Sequence, residues 1–544
     1  MIITKSDYVL WRECPHNAWM KKWKPEIYFA LPLSDFEKHL VEAGNSVEKK
    51  ARERFPGGVL VESRGDESLK QTKELLKDHT ETLFQASFSD GILFAAVDIL
   101  KRGKNGELSL YEVKASSSSK LEQETEDESD DGDRIVDFKD PKALEKYKNK
   151  LLKDHHLYDL AFQVYLARKV GYKVVKAYLI RLNKNYTLAG EVDLQKLFVF
   201  EDVTIYVEEI SLHVKEGIEI MINLLSSPKE PSGPCRCIYE GRSKHCTTFA
   251  EHNRKILKDD ELLKYSVHDL IRIRSNKLHE LINLGVYDIK NIPDDFELSP
   301  KMQKQADVHN CSLRLKPGDE KADINHKLIR QEFAKLQFPL YFLDYESFNP
   351  AIPRFNGYKP YQHIPFQYSL HVLTKESAEK GAEPEHMEPF FYIEKNDPSP
   401  LFVTDLKKKI GKSGSIIVWN RTFEESHINK HLAIRLPEYA DFIQGVNSRI
   451  FDLMKIFSKQ LHVHPDFHGR ASIKKILNVL CPKLSYKELD ISNGSEAMNT
   501  WNKLVTEDMV EAKKEELKQS MLEYCELDTY AMYAIWKHLS DIVK

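Results

Sequence analysis

The sequence lacks any apolar run long enough to span a bilayer, and its start lacks the features of a secretory signal. The opening residues, MIITKSDYVLWREC, do not show a basic segment, an apolar middle and a small-residue cleavage site in succession. We therefore expect a cytoplasmic protein with no membrane partner. Cysteine is scarce as well, with 7 in 544 residues, which argues against a disulfide framework and leaves metal ligation open.

An excess of charge of one sign is also absent, because 80 basic side chains face 84 acidic ones for a formal net charge of −4. The chain as a whole is not a polycation, so nucleic-acid binding would depend on local patches. Two basic patches are present, at Lys139 to Lys153 and at Arg272 to His279. An acidic run from Glu122 to Asp133 predicts a disordered surface loop.

The length and the periodicity of the chain indicate several units of mixed structure. A chain of 544 residues is too long for one core, and contents of 41% hydrophobic and 10% aromatic residues are typical of globular proteins. A stretch rich in proline and serine, Ser226 to Pro234, marks a break. We expect an α/β fold in which two α/β units, residues 1–248 and 331–544, are joined by a helical segment, residues 249–330.

Two acids interrupt a strand-like run in the segment LYFLDYESFNP. Asp344 and Glu346 are two residues apart, so their side chains point to the same face of the predicted strand. Two like charges there repel each other and are costly to desolvate, and bound divalent cations would cancel the repulsion. The alternative is a solvated edge strand with two ordinary acids.

Two later segments favour the metal interpretation. A predicted strand at Ser415 to Trp419 is followed by a helix that carries Glu424. In an amphipathic helix near the end of the chain, Tyr524 and Asp528 are four residues apart and share one face. This order of motifs resembles the DnaQ-like 3′–5′ exonucleases, which have an RNase H fold, over about residues 336–539.

The resemblance implies that Asp344, Glu346, Glu424 and Asp528 hold two Mg²⁺ or Mn²⁺ ions. Glu424 stands where that family usually has Asp. Two such metals stabilise charge on the entering and leaving oxygens of a phosphodiester and lower the pKa of the attacking water. Tyr524 would orient this water rather than act as its base, because a phenol titrates at about pH 10.

A second group of catalytic residue types lies in a predicted β-hairpin of the N-terminal unit. The first strand, Ile92 to Leu100, carries Asp98, and the second strand, Leu108 to Lys114, carries Glu112 and Lys114. Strand pairing would bring Asp98 beside the other two side chains. Two acids can hold a divalent cation while a lysine activates water or stabilises the pentacovalent phosphate. The alternative is a hairpin with a surface salt bridge.

The flanking segments resemble PD-(D/E)XK nucleases of the RecB-like type, including CRISPR-associated members that carry an iron–sulfur cluster. The helix EAGNSVEKKARERFPGG is similar to their first motif and places Glu48 where many members have a metal-binding His. The helix YDLAFQVYLARKVGY is similar to the one that bears their characteristic Gln, here Gln163, although the usual Gln-to-Tyr spacing is not kept. The resemblance implies a site made of Glu48, Asp98, Glu112, Lys114 and Gln163.

The cysteines match the same family in their layout. Cys14 lies near the start of the chain, and Cys235, Cys237 and Cys246 follow the predicted nuclease core. The resemblance implies a [4Fe–4S] cluster on these four thiolates. Four thiolates also suit zinc, and His245 is an alternative fourth ligand. A CxC spacing is unusual for either metal, so the alternative that these cysteines bind no metal also remains.

The middle segment KLHELINLGVYDIKNIPDDF predicts two short helices around Gly285, either as a DNA-contacting helix-hairpin-helix or as a plain αα-hairpin. Taken together, the chain resembles bacterial proteins that fuse a RecB-like nuclease half to a DnaQ-like exonuclease half. We therefore expect a metal-dependent nuclease with two active sites, with DNA favoured over RNA as substrate. The alternative is a nucleic-acid-binding scaffold in which one or both folds are inactive.

Overall fold

The computed structural model describes residues 2–117, 141–257, 265–316, 319 and 321–544. It divides the chain into a first unit, Met1–Cys235 with Pro350–Gln362, and a second unit, Arg236–Asn349 with His363–Lys544. The acidic run from Glu122 to Asp133 and the start of the basic patch at Lys139 lie outside the described residues.

The first unit is built on a mixed sheet with helices on both faces. Its strands are β1 (Ile3–Thr4), β2 (Val59–Leu60), β3 (Thr82–Ser89), β4 (Leu93–Arg102), β5 (Leu108–Ser117), β6 (Val174–Leu182) and β7 (Phe198–Asp202). Its helices are α1 (Lys5–Glu13), α2 (Pro15–Trp23), α3 (Pro25–Ala30), α4 (Asp35–Arg52), α5 (Asp66–Lys77), α6 (Pro141–Leu151), α7 (His155–Lys169), α8 (Leu194–Leu197) and α9 (Thr204–Ser226). The strands follow the order β2-β3-β4-β5-β6-β7, with β1 parallel to the start of β4. The pairs β3–β4 and β4–β5 are antiparallel, and β6 runs parallel to β5.

Strand β4 changes faces at Asp98. Val97 packs in the core on one side of the sheet and Ile99 in the core on the other, although alternation would give both residues the same face. Asp98 lies opposite Gln85, whose φ of 56° is unusual for a residue with a Cβ. The pairing of β4 with β5 starts at Ile99 and Tyr111, so Asp98 lies where the two strands separate.

The segment Pro350–Gln362 packs on the first unit, although it lies within the range expected for the C-terminal domain. Leu188 donates a backbone hydrogen bond to the carbonyl oxygen of Tyr358 at 3.0 Å. The hydroxyl of Tyr361 donates to the carbonyl oxygen of Ala115 at the end of β5. Long-range backbone pairing of this kind has no signature in a single sequence.

The second unit contains the remaining elements. Its strands are β8 (Asp323–Ile324), β9 (Leu340–Phe348), β10 (Ile364–Leu373), β11 (Glu385–His386), β12 (Phe390–Phe391), β13 (Ser415–Val418), β14 (Ile450–Asp452) and β15 (His462–Val463). Its helices are α10 (Phe249–Leu257), α11 (Ser275–Asn283), α12 (Pro300–Ser312), α13 (His326–Phe333), α14 (Lys375–Glu379), α15 (Ser399–Lys409), α16 (Lys430–Arg435), α17 (Ala440–Ser448), α18 (Lys455–Ser458), α19 (Ile473–Leu480), α20 (Gly494–Thr506) and α21 (Glu511–Ile542). A π-helical segment, Phe423–Asn429, precedes α16.

The main sheet of this unit has the order β11-β10-β9-β13-β14, with β12 also paired to β10. Strand β9 is antiparallel to β10 and parallel to β13, so it is an inner strand and the alternative of a solvated edge strand is wrong. Leu343 and Tyr345 of β9 point into an apolar core with α15 and α16. On the other face Phe342 packs against Tyr533 of α21, and Asp344 shares that face by alternation.

The predicted second helix of the middle segment is only a 3₁₀ turn, Ile289–Asn291. Helix α11 ends before Gly285, which has a φ of 74° and turns the chain. The carboxylate of Asp288 then accepts from the Lys290 backbone at 3.0 Å, and Pro293 follows two residues after the turn, where it disfavours a longer helix. The expectation of two helices around this glycine was therefore wrong.

The predicted α/β class is confirmed, with 51% helix and 16% strand. Within the described part of the chain, no helix has the length and apolar character needed to cross a membrane.

Candidate metal centres

Three carboxylates of the second unit converge between β9 and α21. Asp344 and Glu346 come from β9, and Asp528 comes from the middle of α21. One oxygen of each lies within 4.8 Å of the others. Glu346 and Asp528 are buried, with exposures of 8% and 6%. The structure thus brings together acids of the first and last predicted motifs.

Burial and mutual repulsion raise the pKa values of these acids. Burial raises the pKa of Asp344 well above its usual range, and the charges of Asp528 and Glu346 raise it further. The pKa of Glu346 is raised by burial and by Asp528 in the same way. Burial raises the pKa of Asp528 to about 6. Carboxyl groups that resist ionisation together are suited to a divalent cation, because its charge reverses the sign of the local field.

Glu424 approaches the same group from the π-helical segment that follows β13. Its charge raises the pKa values of Asp344 and Glu346, and burial raises its own pKa to about 8. The side chain is 2% exposed, and its Oε2 has no hydrogen-bond partner among the described residues. An orphaned buried carboxylate oxygen fits a metal ligand. Glu424 lies within the π-helical segment, a geometry that is frequent at functional sites.

Two tyrosines contact Asp528. Tyr524 lies one helical turn before it on α21, and Tyr486 donates its hydroxyl to Asp528 Oδ1 at 2.5 Å. Burial and the charge of Asp528 raise the pKa values of both phenols above their usual range. Both therefore stay protonated at neutral pH and act as hydrogen-bond donors. Tyr486 was not predicted, because it lies in an isolated 3₁₀ turn with no motif spacing.

Lys474 is a cation beside these acids. Like Tyr486, it was not predicted from the sequence. Its Nζ donates to the carbonyl oxygen of Ser492 and lies 5.0 and 5.1 Å from the ring centroids of Tyr486 and Tyr524. Burial lowers its pKa, while the charge of Asp528 opposes this shift. The side chain lies on the first turns of α19, and a lysine on a helix face gives no signal of its target.

In the first unit, three predicted side chains meet where β4 and β5 separate. Lys114 Nζ donates to Glu112 Oε1 at 2.7 Å. Asp98 Oδ2 accepts from the Val113 backbone at 2.9 Å, which holds its carboxylate over β5. Asp98 and Glu112 are buried, with exposures of 7% and 2%. The alternative of a surface salt bridge does not fit this burial.

Gln163 and Glu48 approach these residues from two helices. Gln163 Nε2 on α7 donates to Glu112 Oε2 at 2.7 Å, and its buried Oε1 has no hydrogen-bond partner in the described chain. Glu48 on α4 accepts a hydrogen bond from Gln85, which also donates to Asp98 Oδ1 at 3.3 Å. Glu48 is therefore linked to Asp98 through the amide of Gln85.

Lys5 and Asp159 complete this cluster, and neither was predicted. Lys5 Nζ lies 3.0 Å from a Glu112 oxygen, 3.6 Å from Asp98 and 4.0 Å from Asp159. Lys114 Nζ donates to Asp159 Oδ2 at 2.6 Å. The capping motif at the start of α1 could have indicated a helix there, but nothing local shows that its first residue reaches the centre of the sheet.

The two lysines change the electrostatics of this centre. Burial raises the pKa of Asp98 to about 7, and the charge of Glu112 adds to the shift. Although burial opposes them, the ammonium groups of Lys114 and Lys5 hold the pKa of Glu112 below its usual range. The first centre thus has two lysines in direct ion pairs with its acids, Lys5 and Lys114.

The predicted cysteine ligands fall on both sides of the division between the units. Cys14 and Cys235 belong to the first unit and are buried. Cys237 and Cys246 belong to the second unit, where their sulfurs are 3.9 Å apart. Burial lowers the pKa of the neighbouring His245 to about 4, and its Nε2 lies 2.8 Å from the carbonyl oxygen of Glu240. The cluster of four thiolates stays a prediction.

Comparison with known proteins gives similarity without an assigned activity. A family model described as a domain of unknown function (DUF2779) matches residues 341–472, which include Asp344, Glu346 and Glu424. An uncharacterized protein of Ureaplasma parvum serovar 3 is 27% identical over 228 residues, or 37% of this chain and 31% of the relative. An uncharacterized protein of Mycoplasma genitalium is 24% identical over 241 residues, or 39% of this chain and 33% of the relative. The match therefore spans about a third of the length of these relatives.

Proposed function

We propose that the second unit is a metal-dependent nuclease that hydrolyses phosphodiester bonds of nucleic acid. The observation that carries this proposal is the convergence of Asp344, Glu346 and Asp528 within 4.8 Å, with Glu424 buried beside them. Their mutual repulsion opposes ionisation, and bound cations would offset it. Bound Mg²⁺ or Mn²⁺ would supply the attacking hydroxide and stabilise charge on the phosphate oxygens.

Each side chain of this centre has a proposed role around the metal ions. The four carboxylates would hold them, and Tyr524 would donate its hydroxyl to the attacking water because it stays protonated. Lys474, which lies beside the acids, would neutralise a substrate phosphate. A 3′–5′ exonuclease of the DnaQ-like type agrees with the order of the three motifs. DNA is proposed as its substrate in preference to RNA.

We also propose a second hydrolytic site of the PD-(D/E)XK type in the first unit. Glu48, Asp98 and Glu112 would hold the metal, and Lys114 and Gln163 would position water and phosphate. Support comes from the burial of Asp98 and Glu112 and from the unpartnered Oε1 of Gln163. Nucleic acid is the partner that this function implies, and a cytoplasmic location is proposed with it.

Lys5 favours a second candidate for the first unit, namely nucleic-acid binding without hydrolysis. Its ammonium group lies against Glu112 and Asp98, where a metal ion would bind in an active enzyme. In an inactive site the lysine would take the place of the ion permanently. In an active one it would move to the substrate phosphate when the metal enters.

The test is degradation of end-labelled single- and double-stranded DNA and RNA in the presence of Mg²⁺ or Mn²⁺. The wild type should cleave at least one substrate, Asp344→Asn should remove the exonuclease, and Asp98→Asn should remove a separate activity. Glu523→Gln on the exposed face of α21 and Glu208→Gln on α9 are matched controls. The absence of cleavage on all substrates would contradict the proposal. Metal-dependent cleavage that survives Asp98→Asn but not Asp344→Asn would leave the first unit as a binding module.

The cysteines are proposed to hold a [4Fe–4S] cluster, with zinc as the alternative. Anaerobically purified protein should be brown and absorb at about 400 nm, and Cys235→Ser should bleach it. Exposed Cys311 supplies the control, Cys311→Ser, which should keep the colour. Colourless protein that contains zinc would replace the iron–sulfur assignment.

A further inference from the structure

A pair of histidines and a glutamate form a cluster on the second unit that the nuclease proposal does not use. His371 of β10 and His386 of β11 are directly opposite each other in the antiparallel pair. Their rings stack with centroids 4.4 Å apart. Glu526 of α21 lies above them, with Oε1 3.4 Å from His386 Nδ1. One ligand atom from each of the three lies within 4.8 Å of the others.

Hydroxyl groups fix the remaining nitrogen of each imidazole. Thr529 Oγ1 lies 2.8 Å from His371 Nδ1, and Ser369 Oγ lies 3.1 Å from His386 Nε2. The two hydroxyls are themselves 2.8 Å apart. This leaves His371 Nε2 and His386 Nδ1 for a ligand, which is how metal-binding histidines are oriented by groups behind them.

We propose that His371, His386 and Glu526 form a Zn²⁺ site that fastens α21 to the β10–β11 edge of the second sheet. Two imidazoles and one carboxylate are a donor set of zinc, whereas Mg²⁺ prefers oxygen ligands alone. Bond lengths of about 2.0–2.1 Å need the three ligand atoms to close to about 3.4 Å. Exposed Glu526 can approach by side-chain rotation, and the two imidazoles would also have to turn their ligand nitrogens toward each other. Three protein ligands leave the fourth position to water.

The site would influence the carboxylate centre through the helix. Glu526 lies between Tyr524 and Asp528 in sequence, on the same turns of α21. A Zn²⁺ ion bound to Glu526 would therefore fix the part of α21 that carries the last motif of the proposed nuclease. The zinc site itself does not depend on that activity, and its test measures zinc binding rather than cleavage.

The experiment uses the full chain, freed of metal by a chelator and titrated with Zn²⁺ against a chromophoric indicator in excess Mg²⁺. The variant is His386→Gln/Glu526→Gln, which changes two accessible side chains and spares the buried His371. The matched control is His279→Gln/Glu523→Gln, which changes the same residue types on exposed helix faces. Wild type and control should bind one more Zn²⁺ ion than the variant. If the stoichiometry is the same, their affinity for one of the ions should be at least about 100-fold higher than in the variant. Ser369→Ala should lower the affinity for this Zn²⁺ ion about 10–100-fold.

Cobalt distinguishes this site from the cysteines. The difference spectrum of Co²⁺-loaded wild type minus variant should show the visible bands of tetrahedral nitrogen and oxygen ligation without thiolate charge transfer. Zn²⁺ should also raise the unfolding midpoint of the wild type more than that of the variant. Equal Zn²⁺ stoichiometry and affinity in all three proteins, or a difference spectrum with thiolate bands, would overturn the proposal.

Discussion

Glu424 is a residue whose ionisation opposes folding in the absence of metal. Burial raises its pKa from about 4.5 to about 8. Since the folded state keeps the proton to a higher pH than the unfolded chain, the free energy of unfolding of the metal-free protein falls as pH rises through this window. Glu424→Gln removes the titration, so we expect it to be more stable than the wild type at pH ~8, by on the order of a few kcal/mol. It should be inactive in the exonuclease assay.

Glu425 is the matched control for this prediction, because it is the adjacent residue with the opposite shift. A hydrogen bond from Arg421 lowers the pKa of Glu425. Glu425→Gln should therefore give no gain in stability at any pH and should keep the activity. Denaturant unfolding with excess chelator at several pH values measures both variants. If the free energy of unfolding depends on pH in the same way for Glu424→Gln and the wild type, the pKa of Glu424 is not raised in the folded protein.

Lys474 is expected to act on the acids as well as on the substrate. Its charge favours ionisation of Glu346, so Lys474→Met should raise the pKa of that carboxyl further. The acidic limb of the pH–rate profile should then move to higher pH, and the KM for nucleic acid should rise about 10-fold from loss of a phosphate contact. Lys475→Met is the control, because the acid whose charge raises the pKa of Lys475 most is Asp466, which lies outside the carboxylate group. A lower kcat with an unchanged pH profile would assign Lys474 a structural role only.

Among the secondary-structure elements, helix α1 positions Lys5 against Asp98 and Glu112. Thr4 caps this helix: its hydroxyl accepts from the Asp7 backbone at 3.2 Å and donates to Asp7 Oδ2 at 2.7 Å. Lys21 holds the other Asp7 oxygen at 2.7 Å. Thr4→Val removes the cap, which we expect to cost about 1 kcal/mol of stability and to lower the activity that depends on Asp98.

Thr4→Ser provides the rescue for this prediction, because Ser keeps the hydroxyl and caps helices equally well. Denaturant unfolding and the Asp98-dependent cleavage assay should both return close to the wild type. Loss of cleavage in Thr4→Ser but not in Thr4→Val would show that the methyl group, rather than the cap, positions α1.

For the molecule as a whole, local patterns were informative where the chemistry is local. The acids two residues apart on β9 and the Tyr524–Asp528 pair on α21 follow from the strand and helix periods. The hairpin that carries Asp98 and Glu112 follows from its turn and its apolar alternation. The patterns on β9 and α21 also specify the face on which their side chains meet.

Contacts between distant segments were not predictable from one sequence. Lys5, Lys474 and Tyr486 reach their acids through tertiary packing and carry no spacing signal. The His371–His386 pair depends on the register of β10 with a two-residue strand, which a single sequence does not determine. The change of face at Asp98 requires the irregularity opposite Gln85, and a glutamine with positive φ has no compositional mark.

Metal binding should stabilise the second unit more strongly as pH rises. The cations need ionised Asp344, Glu346, Glu424 and Asp528, and these carboxyls give up their protons only above their raised pKa values. Mg²⁺ at 100 times its dissociation constant adds about 2.7 kcal/mol to the free energy of unfolding, and acid conditions weaken this by protonating the ligands. Thermal unfolding with and without Mg²⁺ should therefore show a larger shift at pH ~8 than at pH ~6. Asp344→Asn should remove the shift from the transition of the second unit, whereas Asp405→Asn, on α15 away from the carboxylates, should keep it. A Mg²⁺ shift that is independent of pH and survives Asp344→Asn would place the metal elsewhere and remove the chemical basis of the nuclease proposal.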